Sequence, residues 1–222
     1  MENSSKNKFG KTVKNAVAVT LVFLVVCGLG FPLLLNGISA VVFPKQAAGS
    51  VVKADGEVVG VENVGQDFTE PYFMKCRPSA YHYNTYKEEG GEEIYNDGTE
   101  YAGLSSGSNN YAPSNPELAK RVEADIDAFL EDNPGVKKED IPTDLLTASG
   151  SGLDPHISPA SAEVQLPAIA EASGLSEDEL KGIVKDNTKG KLLGVLGEDT
   201  VNVLGVNLDI AKAMGLVDEV EH

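Results

Sequence analysis

The chain has 222 residues and a formal charge of −16 at pH 7, with 34 acidic side chains against 18 basic ones. That balance excludes a nucleic-acid partner, which needs clustered Lys and Arg to neutralise phosphate. It also weighs against the folded part lying flat on anionic lipid.

The first predicted element is a membrane anchor. Lys6, Lys8, Lys11 and Lys14 precede it, with Glu2 the one acid, and residues 1–14 read as a cytoplasmic tail. From Asn15 to Pro44 there is no charge, and the apolar heart is Ala16–Leu35. About 20 residues at ~1.5 Å each give ~30 Å, the thickness of the hydrocarbon core, which predicts a transmembrane helix over 15–38. A cleaved signal peptide would be shorter and would end on a small-x-small site, of which Ser39-Ala40-Val41 is a poor version. With four bases and one acid removed, the remainder carries −19, so the positive-inside rule places 39–222 outside the cytoplasm. Within the span, Cys27-Gly28-Leu29-Gly30 is small enough for another helix to approach, and Pro32 removes a backbone donor and predicts a kink. Cys27 lies in the span and Cys76 far beyond it, so no internal disulfide is expected. An exported domain of this kind suits a bacterial surface better than an animal secretory pathway.

Beyond the anchor, Asp55-Gly56 between β-branched runs predicts a hairpin. Residues 65–80 read as an ordered loop. Lys87-Glu88-Glu89-Gly90-Gly91-Glu92-Glu93, within the Gly-, Asn- and Tyr-rich stretch 84–111, reads as a solvated surface loop too acidic and too glycine-rich to pack. Asn115-Pro116-Glu117 opens a helix that Asn133-Pro134-Gly135 closes. Ser158-Pro159 opens a second, bent or divided by Pro167, and Ser176 with Glu179 forms a capping box for a third. Val201–Ile210 is ambiguous between strand and helix. The fold class is α+β: one N-terminal transmembrane helix, then one mixed α/β extracytoplasmic domain.

Tests for chemistry are negative. Ser149, Ser151, Asp154 and His156 crowd one loop, Thr147–Pro159, but neither serine has glycines two positions before and after it, as a nucleophile elbow needs. Three triad side chains within one short loop rarely reach catalytic geometry. The loop reads instead as a structural motif, Ser149, Gly150, Ser151, Gly152, Asp154 and His156, in which glycine supplies positive φ. Gly190-Lys191 lacks the rest of a phosphate loop, and His82, His156 and His222 stand at no metal-ligand spacing. No bound metal or cofactor is expected. An alternative function is an anchored binding module or hydrolase acting alone.

Several segments resemble the C subunit of Kdp-type potassium-transporting ATPases of bacteria and archaea. They are Gly30-Phe31-Pro32-Leu33-Leu34, Phe43–Ser50, Gly65-Gln66-Asp67-Phe68 with Arg77-Pro78-Ser79-Ala80, Ser105–Asn109 with Pro113–Pro116, Leu146–Pro159 and Val201–Leu208. Together they span about residues 16–210. Met74-Lys75-Cys76 and the long acidic stretch 81–102 depart from the pattern. The resemblance implies a non-catalytic accessory subunit of an ATP-driven potassium uptake complex. Its partners would be a potassium-translocating A subunit, an ATP-hydrolysing B subunit and a small hydrophobic F subunit, with lipid around the anchor, and the complex would use ATP, Mg and K. The family is described as a catalytic chaperone that raises nucleotide affinity, and Gln165 matches a family glutamine placed near nucleotide. An outside Gln165 and cytoplasmic ATP would lie a membrane apart, ~30 Å of hydrocarbon, which favours a role in assembly or at the potassium entrance.

Overall fold

A computed structural model describes residues 2–221, with side chains from 9 to 221, as two compact units that divide between Ser50 and Val51. The first unit is almost entirely helical: α1 (Glu2–Val25), one wide turn (Val26–Gly30), α2 (Phe31–Val42) and the short α3 (Pro44–Ala47). Helix therefore covers residues 2–14 of the expected tail as well as the expected span, and the boundary at residue 14 is one of charge rather than conformation. The stretch Phe9–Val42 is long and apolar enough to cross a membrane, and its apolar side chains are exposed. In the wide turn, the Phe31 N–H donates to the Val26 carbonyl five residues back. Pro32 has no N–H to give, so the helix widens by one residue just before it instead of breaking.

The second unit begins at Val51. β1 (Val51–Ala54) and β2 (Glu57–Val61) pair across Asp55-Gly56, both at positive φ, as a two-residue hairpin turn requires. β8 (Val220–Glu221) joins the other edge of β1, giving the order β2-β1-β8.

The acidic stretch is a correction to the sequence reading. Residues 87–93 belong to a second hairpin, β3 (Tyr86–Glu89) and β4 (Glu92–Tyr95), turned by Gly90-Gly91 at positive φ. The stretch is solvent-exposed, as its composition predicts, but it is paired and not an irregular loop. Solvated carboxylates do not prevent a ladder whose turn is supplied by two glycines and whose base is closed by stacking of Tyr86 on Tyr101.

Helix α4 (Pro116–Asp132) starts where Asn115 accepts from the Glu117 N–H. The region around Pro167 divides one helical stretch into α5 (Pro159–Glu163) and α6 (Leu166–Ser173). α7 (Glu177–Asp186) carries the full capping box of Ser176 and Glu179. The ambiguous run resolves into both forms: β7 (Thr200–Asn202) turns directly into α8 (Val203–Ala213), with the Asn202 side chain capping Gly205 N–H. β7 is the centre of a third sheet, flanked by β5 (His156–Ile157) and β6 (Thr188–Lys189).

α8 organises the core. Val203, Val206 and Ile210 pack with Met74, Ile157, Ala162, Leu166, Ile169, Leu180 and Val201. Leu204 and Leu208, on its other side, pack against Val52 and Ala54 of the first sheet. Each such fully buried aliphatic contributes about 1.5–3 kcal/mol before conformational entropy is subtracted. α4 closes a smaller cluster through Ile126, against Ile141 and Leu145.

Candidate functional site

The loop that crowds serines, an acid and a histidine is the meeting point of four separated segments. Gly152 sits at φ +65, and a Cβ there would lie 2.2 Å from the Gly107 carbonyl oxygen. Only glycine allows both that backbone shape and that approach. The Gly107 N–H donates to Ser151 O at 2.7 Å, which ties 105–109 to the loop. From the third segment, Ser79 Oγ donates to Gly152 O at 2.7 Å, and the Arg77 guanidinium reaches Asp154 Oδ2 at 3.2 Å and Thr147 O at 3.3 Å. From the fourth, the Gly65 N–H donates to Leu153 O at 3.0 Å. His82, Tyr83 and Asn84 are all left-handed, a turn that delivers the Tyr83 hydroxyl to Arg77 O at 2.8 Å and Asp154 O at 3.3 Å. Burial pushes that phenol up from its ordinary pKa.

Each loop side chain has a partner inside this framework. Ser149 Oγ accepts from the Gly152 N–H at 2.9 Å and lies 3.2 Å from Ser151 Oγ. Asp154 Oδ1 accepts from the His156 N–H at 3.0 Å and lies 3.4 Å from His156 Nδ1. Its carboxyl is held below the usual range, by the hydrogen bond from His156 first and by Arg77 in addition. A Cβ at Gly150 would meet nothing within 4 Å, so the space around it does not demand glycine. The Ser149 hydroxyl thus faces a serine and a backbone amide. A nucleophile would need a base there.

Gln165 takes a different place. It is 2% exposed and brackets the Lys75 backbone, accepting from its N–H at 2.8 Å and donating to its carbonyl at 3.4 Å, while Nε2 also donates to Ser161 O at 2.9 Å. Asn207 of α8, also 2% exposed, does the same one residue earlier, accepting from Met74 N–H at 2.7 Å and donating to Met74 O at 2.9 Å. Two amide side chains, one from the turn between α5 and α6 and one from α8, therefore hold consecutive residues of an irregular segment, as a neighbouring β-strand would. The cavity beside Gln165 is about 60 Å³, far below the ~300–1,000 Å³ of ordinary ligand pockets.

Beside Tyr83, sequence reasoning missed two further contributors to the site. One is Asn207, an amide inside an apolar helix and so a signal of a buried hydrogen bond. The other is Asp144. It accepts from Ser158 N–H at 2.7 Å and Ser161 Oγ at 2.6 Å at the start of α5. Burial pushes its carboxyl up, but the bonds from Ser161 and Ser158 outweigh that and leave it lowered. Open clefts of about 460 Å³ and 370 Å³ flank the framework, the second edged by Arg77, Asp154 and His156. Among the described residues, no group of three or more His, Cys, Asp and Glu is placed to hold a metal ion.

Residues 13–212 match the family described as K+-transporting ATPase, c chain, or KdpC. The chain belongs to this KdpC family. A potassium-transporting ATPase KdpC subunit of Clostridium kluyveri is 62% identical over 211 residues, 95% of this chain and 98% of that protein. The KdpC subunit of Clostridioides difficile is 58% identical, covering 93% of this chain and all of that protein. That of Caldanaerobacter subterraneus is 43% identical over 91% and 96%. The four segments that meet at Gly152 and Asp154, and both clamping amides, lie inside the KdpC match.

Proposed function

We propose that this KdpC chain is a non-catalytic subunit needed to assemble the potassium uptake complex and to couple its ATP-hydrolysing B subunit to its potassium-translocating A subunit. Residues 39–222 work outside the cytoplasm, the helix around 15–38 is the anchor, and residues 1–14 face the cytoplasm. The small F subunit completes the complex, and ATP, Mg and K are handled by the larger partners.

The observation that carries this reading is the commitment of the loop's polar groups. Ser149, Gly152, Asp154 and His156 are bonded into a framework with residues 65, 77–79 and 107, which is what a rigid docking body needs. A nucleotide at Gln165 would have to replace three hydrogen bonds of a buried side chain in a cavity of about 60 Å³. That supports Gln165 as a clamp on the fold. The test is purification of a tagged chain from its native membrane in mild detergent. The A, B and F subunits are expected to come with it in fixed ratio, and a chain recovered alone with full stability would overturn the proposal.

A further inference from the structure

The segment 190–197 (Gly-Lys-Leu-Leu-Gly-Val-Leu-Gly) forms a closed loop between β6 and β7. The Leu192 and Leu196 backbones bridge each other, with the Leu192 N–H donating to Leu196 O at 2.8 Å. Leu193, Gly194 and Gly197 are left-handed, and the Lys191 N–H is tied to Asp199 Oδ1 at 3.1 Å. This built turn turns its aliphatic side chains outward: Leu193 is 84% exposed and Val195 76%, with Leu192 and Leu196 also mostly exposed. Other large aliphatics of the domain, Leu104, Val58 and Leu216, are exposed singly, whereas the tip gathers four in five consecutive positions, an exposed patch of the kind that marks an interaction surface.

We propose that this tip inserts into the headgroup–acyl boundary of the membrane that holds the anchor, giving the domain a second lipid contact. The proposal rests on the anchored reading. The tether decides between occupants. A chain with an apolar helix ending at Val42 and a domain starting at Val51 keeps that domain within a short linker of a bilayer, whatever other subunits are present. The local charge agrees. Lys189 and Lys191 stand beside the tip, where lipid phosphates would lie, and offset Glu198 and Asp199 in a domain that is otherwise strongly acidic. The acidic bulk stays off the surface while one short apolar loop enters it.

The chain contains no tryptophan, so one introduced at the tip reports alone. Full-length Val195→Trp would be reconstituted into phosphatidylcholine–phosphatidylglycerol vesicles with and without bromine on the acyl chains, with Glu88→Trp on the acidic hairpin as the control. Flotation of the vesicles first establishes that the anchor is inserted, so failure of the anchored reading is seen separately. Insertion of the tip predicts blue-shifted emission at 195 that loses most of its intensity in brominated lipid, while 88 keeps its red-shifted, unquenched emission. The same quenching is expected with the partner subunits present. Water-exposed emission at 195 in floated vesicles would overturn the proposal. So would quenching that disappears in the assembled complex, which would give the tip to a partner subunit instead.

Discussion

Gly152 and the Gly107 carbonyl leave no room for a side chain. Gly152→Val is therefore expected to destabilise the domain by on the order of 3 kcal/mol and to lower subunit assembly with it. Ser149→Ala removes one acceptor from a buried amide, a loss of about 1 kcal/mol, and should leave transport intact. Thermal unfolding and potassium uptake, measured on both variants, check the pair. Loss of transport in a stable, assembled Ser149→Ala would require a chemical role. Gln165→Leu strands the Lys75 amide, so a stability loss of about 1–3 kcal/mol is expected with the KM for ATP of the assembled complex unchanged. A raised KM at unchanged stability would restore the nucleotide reading. Asp154 has a folded pKa below its unfolded value of about 3.9. Its contribution is therefore complete above that value and lost as pH falls through the lower, folded one. Asp154→Asn should lower the melting temperature at pH 7 and flatten its decline below about pH 4.

At the scale of elements, the β3–β4 register places Glu88 opposite Glu93 and Glu89 opposite Glu92. Like charges directly across a ladder oppose pairing, so exchange of all four to Gln should stabilise the hairpin by roughly 0.2–1 kcal/mol per pair. Amide hydrogen exchange at 86–95 reads this, and the gain should shrink in high salt, where the Debye length drops to ~3 Å at 1 M. This hairpin is masked in the sequence: Gly90-Gly91 between short runs is a hairpin signal, but four flanking glutamates give the stretch the composition of a solvated loop. Asp55-Gly56, Asn115-Pro116 and the Ser176–Glu179 box were legible because each is closed by neighbours within a few residues. Val201–Ile210 is ambiguous because a buried strand and a buried helix share an apolar pattern, and the signal that separates them is Asn202, which caps one while ending the other. The partners of the two clamping amides are out of reach of local pattern. Gln165 meets Lys75 across 90 positions and Asn207 meets Met74 across 133, and no local spacing announces such a partner.

For the whole molecule, orientation is the prediction that matters most. A cysteine at Glu89 is expected to react with a membrane-impermeant maleimide on intact cells whose outer barrier is opened, and labelling only after lysis would reverse the topology. The native thiols interfere little, since Cys27 lies in the apolar helix and burial pushes the Cys76 thiol up to about 12. The first sheet has a consequence for biosynthesis. β1 pairs with β8, and Asp55 receives the N–H groups of Asp218 and Glu219, the nearer of them 163 positions along the chain. At the usual pace of translation those 163 residues take roughly 10–30 s. Throughout that interval one edge of β1 hangs open, a template for the wrong strand until the right one is made. Slowing elongation ahead of Asp218 should therefore increase misassembled and proteolysed chain, with no change in the stability of the molecules that finish.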